Sequence, residues 1–293
     1  MGAVVANGQR IEYAEAGVGE PLLLISGMTL QLTDWPDAFV NGLVGSGYRV
    51  VRFDNREVGL SSASEGPPPG LRTLAAAAVA PNRVRAPYEL ADMADDAVAL
   101  LDALGIESAH IVGLSMGGMI AQILAIAHPT RVLSLTSIMS NTSDRRNGLP
   151  NPSLPARLAW LNRRPLEGNA AVEALLASQR MIGGPAWLEG QYRERAEIAV
   201  DRSYRPDAVF HQMLASLVTP KRTRALATVT VPTLVVHGIA DPLVRPSGGH
   251  ATARAIPGSR LLMFPDMGHD LPAHRIDEIV DAIGANAAKA TLQ

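Results

Sequence analysis

The chain contains no cysteine, and aromatic residues make up only 4% of its 293 residues. The first absence removes disulfides, thiolate zinc sites and a cysteine nucleophile together. The second leaves only 12 aromatic residues in the whole chain, 3 Trp, 5 Tyr and 4 Phe. Charge is also sparse: 18% of residues are charged, and 26 Lys+Arg against 28 Asp+Glu leave a formal net charge of -2. A phosphate backbone is bound through a basic excess, so nucleic acid is not an expected partner. Apolar stretches are strand-sized or broken by Gly and Pro, too short to span a membrane as helices. Residues Met1 to Gly8 carry no basic segment ahead of an apolar run, and Ala6 occupies the place where a myristoylation signal has Ser or Thr. A cytoplasmic chain is therefore expected.

What remains is 47% hydrophobic, enough for a sizeable core. Asn7-Gly8 between Val4 to Ala6 and Arg10 to Ala14 predicts a hairpin, because this dipeptide takes the positive φ angles of a type I′ turn. Apolar bursts follow at Leu22 to Ile25, Tyr48 to Phe53, His110 to Val112, Val132 to Ile138, Thr233 to Val236 and Arg260 to Phe264. Near-continuous apolar runs suit strands covered on both faces. Between them, Met93, Ala97, Leu100 and Leu104, then Ile120, Ile123, Leu124 and Ala127, then Ile276, Ile279, Val280 and Ile283, recur at helical spacing. This alternation predicts an α/β fold with a mostly parallel, doubly wound sheet and the hairpin at one edge.

Two stretches break the rhythm. Residues 141–227 show helical patches and no strand burst, which predicts a helical cap inserted between core segments 1–140 and 228–293. Residues Ser64 to Pro87 hold Pro67-Pro68-Pro69 and an alanine patch at Ala75 to Ala78, and read as a long excursion of the kind that forms lids.

Gly113-Leu114-Ser115-Met116-Gly117 matches G-x-S-x-G directly after one predicted strand and directly before one predicted helix. A sharp turn there lifts a serine hydroxyl above the sheet edge, and the flanking glycines allow strand and helix to approach. Serine needs a base, and the base needs an acid to orient it. Of seven histidines, His110 and His128 sit at element ends, His211 in the cap, and His250 and His274 on predicted helices, where solvated side chains are expected. His237, directly after Thr233 to Val236, either lines the active-site edge or closes the strand. His269, in the turn Pro265 to His269 after the last strand, is aimed best at the sheet top.

Asp241, in the loop after Thr233 to Val236, is the first choice of acid and Asp144 the second; Asp266 and Asp270 flank His269 too closely. Ser115, Asp241, His269 is also the chain order expected for a nucleophile turn on such a sheet. Two backbone N–H groups should form an oxyanion hole, that of Met116 and that of Met28 in Ser26-Gly27-Met28-Thr29.

These features resemble the α/β-hydrolase family from the opening hairpin to His269. Asp54-Asn55-Arg56-Glu57-Val58-Gly59-Leu60-Ser61 is similar to the family's D-x-R-G-x-G-x-S loop. With the Ser26 to Thr29 loop followed by Trp35-Pro36, and with Gly113 to Gly117, the chain looks like the bacterial carboxylesterase branch close to aclacinomycin methylesterase. The resemblance implies a serine hydrolase acting on a small-molecule ester or lactone without metal or cofactor. It departs from many members in having Ser26-Gly27 where they have His-Gly and Arg56-Glu57 where they have Arg-Gly.

A hydroxyl rather than a carboxylate at the elbow argues against dehalogenase and epoxide-hydrolase chemistry. Enol-lactonases share a Gly-Leu-Ser-Met-Gly-Gly-Met string and make lactone hydrolysis the nearest rival, ahead of carbon–carbon bond hydrolysis, perhydrolysis or ligand binding without catalysis. In the cap, Trp160, Trp187, Tyr192, Tyr204 and Phe210 are expected to join cap helices to the core more than to line a pocket, and Arg163, Arg164, Arg193 and Arg195 to lie on solvated faces.

Overall fold

In a computed structural model that describes residues 1–161 and 166–290, one eight-stranded sheet organises the chain. Arg163 and Arg164 lie outside the described residues, as does the Trp160 side chain. The strands are β1 (Gly2–Ala6), β2 (Gln9–Ala16), β3 (Glu20–Ile25), β4 (Tyr48–Phe53), β5 (Ala109–Leu114), β6 (Val132–Ile138), β7 (Thr233–Gly238) and β8 (Arg260–Phe264). Their spatial order is β1-β2-β4-β3-β5-β6-β7-β8. The opening hairpin turns at Asn7 and Gly8, with φ of 49° and 70°, and pairs antiparallel at one edge; every pairing from β4 onward is parallel.

Strand β3 explains why both faces must be apolar. Leu22 and Leu24 join one core cluster while Leu23 and Ile25 join another, because successive side chains leave opposite faces. The first cluster is closed by α1 (Asp37–Gly45) and α10 (Ile276–Ala287), through Phe39, Leu43, Ile279 and Ile283. The second is closed by α3 (Leu90–Ala103) and α4 (Met116–Ala127), through Met93, Leu100, Ile120 and Leu124. Each such fully buried apolar side chain contributes about 1.5–3 kcal/mol relative to exposure. Helix α3 ends at Gly105, which takes φ 66°.

The Ser64 to Pro87 stretch differs from the loop expected. It contains α2 (Leu71–Val79), whose Leu74 and Ala77 pack against Leu214 and Val218. Leucine and alanine favour helix, but only Leu74 and Ala77 mark its buried face, too few to read as a stripe. The Arg145 guanidinium donates to the carbonyls of Ala77 and Ala78 and caps the helix end.

Between β6 and β7 run α5 (Leu154–Leu161), α6 (Gly168–Ile182), α7 (Gly190–Ser203) and α8 (Ala208–Val218), with no strand among the described residues there. Helix α9 (Ser247–Ala255) lies between β7 and β8. No described helix is long and apolar enough to cross a membrane.

The order of strands positions the site. The chain steps from β3 outward to β4 and then returns to add β5 on the other side of β3. The loops leaving the carboxyl ends of β3 and β5 therefore part company at a crevice, the usual ligand position in such sheets. Register pairs Ile25 with Gly113, so both loops start at the same height.

Candidate active site

Ser115 sits between β5 and α4 with φ 56° and ψ -117°, a conformation that costs a non-glycine residue on the order of 1–3 kcal/mol. Close packing holds it there. A Cβ on Gly113 would lie 2.2 Å from the Gly117 carbonyl oxygen, and one on Gly117 would lie 2.0 Å from that of Ile25. The Ser115 amide donates to the Ile138 carbonyl at 2.8 Å, and its own carbonyl accepts from the amides of Gly118 and Met119.

His269 Nε2 lies 2.8 Å from Ser115 Oγ, and Nδ1 lies 2.8 Å from Asp241 Oδ2. The other oxygen, Asp241 Oδ1, accepts the amides of Leu243 and Val244, both at 2.8 Å. With the carboxylate so anchored, Nδ1–H donates to it and Nε2 keeps its lone pair toward the serine hydroxyl. The His269 amide donates to the Ile182 carbonyl at the end of α6, so the turn is held by the helical segment as well as by β8. The structure thus brings together the three residues singled out in the sequence, from positions 154 and 28 residues apart.

The alternatives are engaged elsewhere. Asp144 accepts the Arg146 amide in its own turn, and Asp266 pairs with His274 and Arg275. Asp270 is buried, with Oδ1 accepting the amides of Gly268 and Gly184 and Oδ2 accepting the Tyr192 hydroxyl. His110 is buried between Ser134 and Glu20. His237 is fully buried, with Nε2 2.7 Å from the Val244 carbonyl and 3.6 Å from Asp241 Oδ2. Burial lowers its pKa below the usual imidazole value, so it stays neutral and leaves Asp241 to His269. His211, expected to be solvated, is instead buried, 4.0 Å from Glu57.

Met116 opens α4, and Met28 lies in the loop after β3. That loop runs against the serine, since a Cβ on Gly27 would lie 3.3 Å from Ser115 Cβ. The loop is pinned by Trp35 Nε1 donating to Ser26 Oγ and by Asn55 Nδ2 donating to the Ser26 carbonyl. Among the described residues no group of three or more His, Asp or Glu is placed to hold a metal ion.

The Asp54 segment is a scaffold under this loop. Asp54 is fully buried, accepts the amides of Leu32 and Leu60, and pairs with Arg202 of α7 at 2.7 Å. Gly59 must be glycine because a Cβ would meet Asp54 Oδ2 at 2.1 Å. Glu57, which stands where many α/β-hydrolases have glycine, adopts φ 76° and accepts the Ser64 amide through its carboxylate.

Arg202 carried no sequence signal. Nor did Gln212 of α8, which hydrogen-bonds both loops. Arg195, expected on a solvated face, donates to the Asp34 carbonyl and lies over the Tyr192 ring. Arg193 does lie near the surface, paired with Glu173 and Glu189. Trp187 stacks on Tyr192, and Phe210 packs with the Leu74 cluster, so these aromatics join helices. A cavity of about 440 Å³, lined by Gln9, Arg56, Ser62, Ser64, Glu65 and Tyr88 among others, includes none of Ser115, Asp241 and His269.

The chain is 29% identical over 312 residues to rhodomycin D methylesterase DnrP of Streptomyces peucetius, covering 99% of each protein. Among solved structures it is similar to the meta-cleavage product hydrolase CumD of Pseudomonas fluorescens IP01, with TM-score 0.76, 19% identity and 99% and 98% of the two chains covered. It is also similar to the esterase EaEST of Exiguobacterium antarcticum, with TM-score 0.76, 20% identity and 98% of each chain covered. The alpha/beta hydrolase fold family model matches residues 20–273. With the elbow at the carboxyl end of β5 and this match across most of its length, the chain belongs to the α/β-hydrolase fold family.

Proposed function

We propose that this protein hydrolyses carboxylic esters through an acyl-enzyme on Ser115. The observation that carries the reading is the continuous hydrogen-bonded run from Ser115 Oγ through His269 to Asp241, 2.8 Å at each step, on a strained turn. His269 Nε2 takes the hydroxyl proton as Oγ adds to the ester carbonyl, and Asp241 compensates the imidazolium that forms. The amides of Met28 and Met116 donate to the oxyanion. His269 then returns the proton to the departing alcohol, and water attacks the acyl-enzyme by the same route. The acid leaves and Oγ recovers its proton. No metal or cofactor is required. Residues 141–227 act as a cap over a core of 1–140 and 228–293.

The full-length similarity to a methylesterase supports an ester substrate and makes methyl esters the first to try. A lactone is an intramolecular ester, open to the same attack, and belongs in the same panel.

The test is incubation with a fluorophosphonate, with the adduct located by mass spectrometry, followed by a graded panel of methyl esters, aryl esters and lactones. Labelling of Ser115 that is lost in His269→Ala, together with turnover of at least one ester, is expected. Folded protein that neither labels at Ser115 nor cleaves any member of the panel would overturn the reading.

A further inference from the structure

Gln212 is hydrogen-bonded through both ends of its carboxamide, to the loop after β3 and to the loop after β4. It is fully buried on α8. Oε1 accepts the Thr29 amide at 2.7 Å, and Nε2 donates to the Arg56 carbonyl at 3.0 Å. No other side chain of α8 is bonded to the loop after β3 among the described residues.

The Thr29 contact bears on Met28. The Leu30 amide donates to the Gly27 carbonyl at 3.3 Å, which makes residues 27–30 a turn with Met28 and Thr29 at its centre. Thr29 has φ 62°. A positive angle at the third position is the mark of a type II turn and calls for glycine or asparagine, and a β-branched residue pays a steric penalty there. In a type I turn the central peptide is flipped, and threonine fits without that penalty. In this structure the flip is opposed from both ends of the Met28–Thr29 peptide: Gln212 holds its N–H, and the Thr29 hydroxyl donates to its C=O at 2.7 Å. That peptide adjoins the residue whose amide is assigned to the oxyanion.

We propose that Gln212 is a positioning residue for the oxyanion hole: from the helical segment it tethers the Met28–Thr29 peptide, and so keeps the 27–30 turn that carries the Met28 amide in place beside Ser115. The inference rests on the oxyanion role proposed for Met28. It makes α8 part of the catalytic framework as well as a covering element. It also accounts for a buried glutamine that touches none of Ser115, Asp241 and His269.

The experiment is Gln212→Met, which keeps the volume and removes both hydrogen bonds, compared with wild type on the best ester found. Loss of a whole oxyanion donor lowers kcat about 10²–10³-fold, and a misdirected one should cost less, so a kcat fall of about 10–100-fold with KM within about threefold is expected. Gln212→Glu, which keeps an acceptor for the Thr29 amide, should lose less than Gln212→Met and serves where the latter does not fold.

Hydrogen exchange of amides 26–31 should quicken in Gln212→Met. Unchanged kcat or unchanged exchange in 26–31 would each overturn the inference. Wild type that fails to label or turn over any ester would instead defeat the functional reading, and the exchange measurement would still judge the clamp.

Discussion

Asp241→Asn separates orientation of the histidine from everything else in the site. The substitution is isosteric, and the position is 3% exposed, so side-chain volume and packing are kept. The anchor amides decide which way the new carboxamide points. Leu243 N and Val244 N both approach Oδ1 at 2.8 Å, so the carboxamide oxygen must stay there and the NH2 group must take the place of Oδ2, 2.8 Å from His269 Nδ1. Two donors cannot face one another. The imidazole therefore changes tautomer, Nδ1 becomes an acceptor, and Nε2 presents a hydrogen to Ser115 Oγ where it presented a lone pair.

A base with its proton on the reacting nitrogen cannot accept another, and in serine hydrolases this tautomer error costs about 10⁴-fold in kcat, or about 5.5 kcal/mol of barrier at 1.36 kcal/mol per decade. The fold should hardly notice, because both anchoring hydrogen bonds survive. Initial rates of p-nitrophenyl ester hydrolysis, with active-site titration to count competent serine and a thermal melt to check folding, measure all three quantities. Asp144→Asn, which alters only a carboxylate that accepts from its own turn, is the control and should keep wild-type rates. Folded Asp241→Asn retaining more than a tenth of the wild-type kcat near neutral pH would refute the tautomer argument.

Three further outcomes are expected. Ser115→Ala and His269→Ala should each lower kcat about 10⁴-fold or more, and the double variant should be no slower than the worse single one, because the two act as a unit; additive losses in steady-state kinetics would contradict this. Gly117→Ala puts a Cβ 2.0 Å from the Ile25 carbonyl oxygen, so the elbow must open, and loss of fluorophosphonate labelling together with a lowered Tm is expected; a labelled variant with wild-type Tm would show that the turn is looser than drawn. Burial raises the Asp34 carboxyl from its ordinary 3.8 to about 6, against the Gln31 amide that donates to it. A raised acid pKa means the folded state holds the proton more tightly, so this contribution to stability is full below about 3.8 and is lost as pH rises through about 6. Asp34→Asn removes that loss, and its Tm relative to wild type should be higher at pH 7.5 than at pH 4; a difference independent of pH would count against the shift.

Local chemistry determined a good deal of this protein. The six bursts from Leu22 to Phe264 became β3 to β8 because strands of a sheet covered by helices are apolar along most of their length, and that is visible without knowing their neighbours. The elbow was legible because Gly113 and Gly117 are required by a turn five residues long. His269 and Asp241 were legible for a weaker reason, their places just after predicted strands, where side chains gather at one edge of a parallel sheet.

Tertiary structure alone decided the rest. Helix α2 is set by a face that exists only against Leu214 and Val218, far away in the chain. The Asp54–Arg202 pair and the Gln212 bridge join loops of the core to helices more than 140 residues later. A hydrogen bond between distant residues leaves no period and no spacing in the chain, since it depends on where two elements come to rest. The serine could therefore be found from its turn, whereas the groups that hold the loop beside it became visible only once α7 and α8 were placed against the loops after β3 and β4.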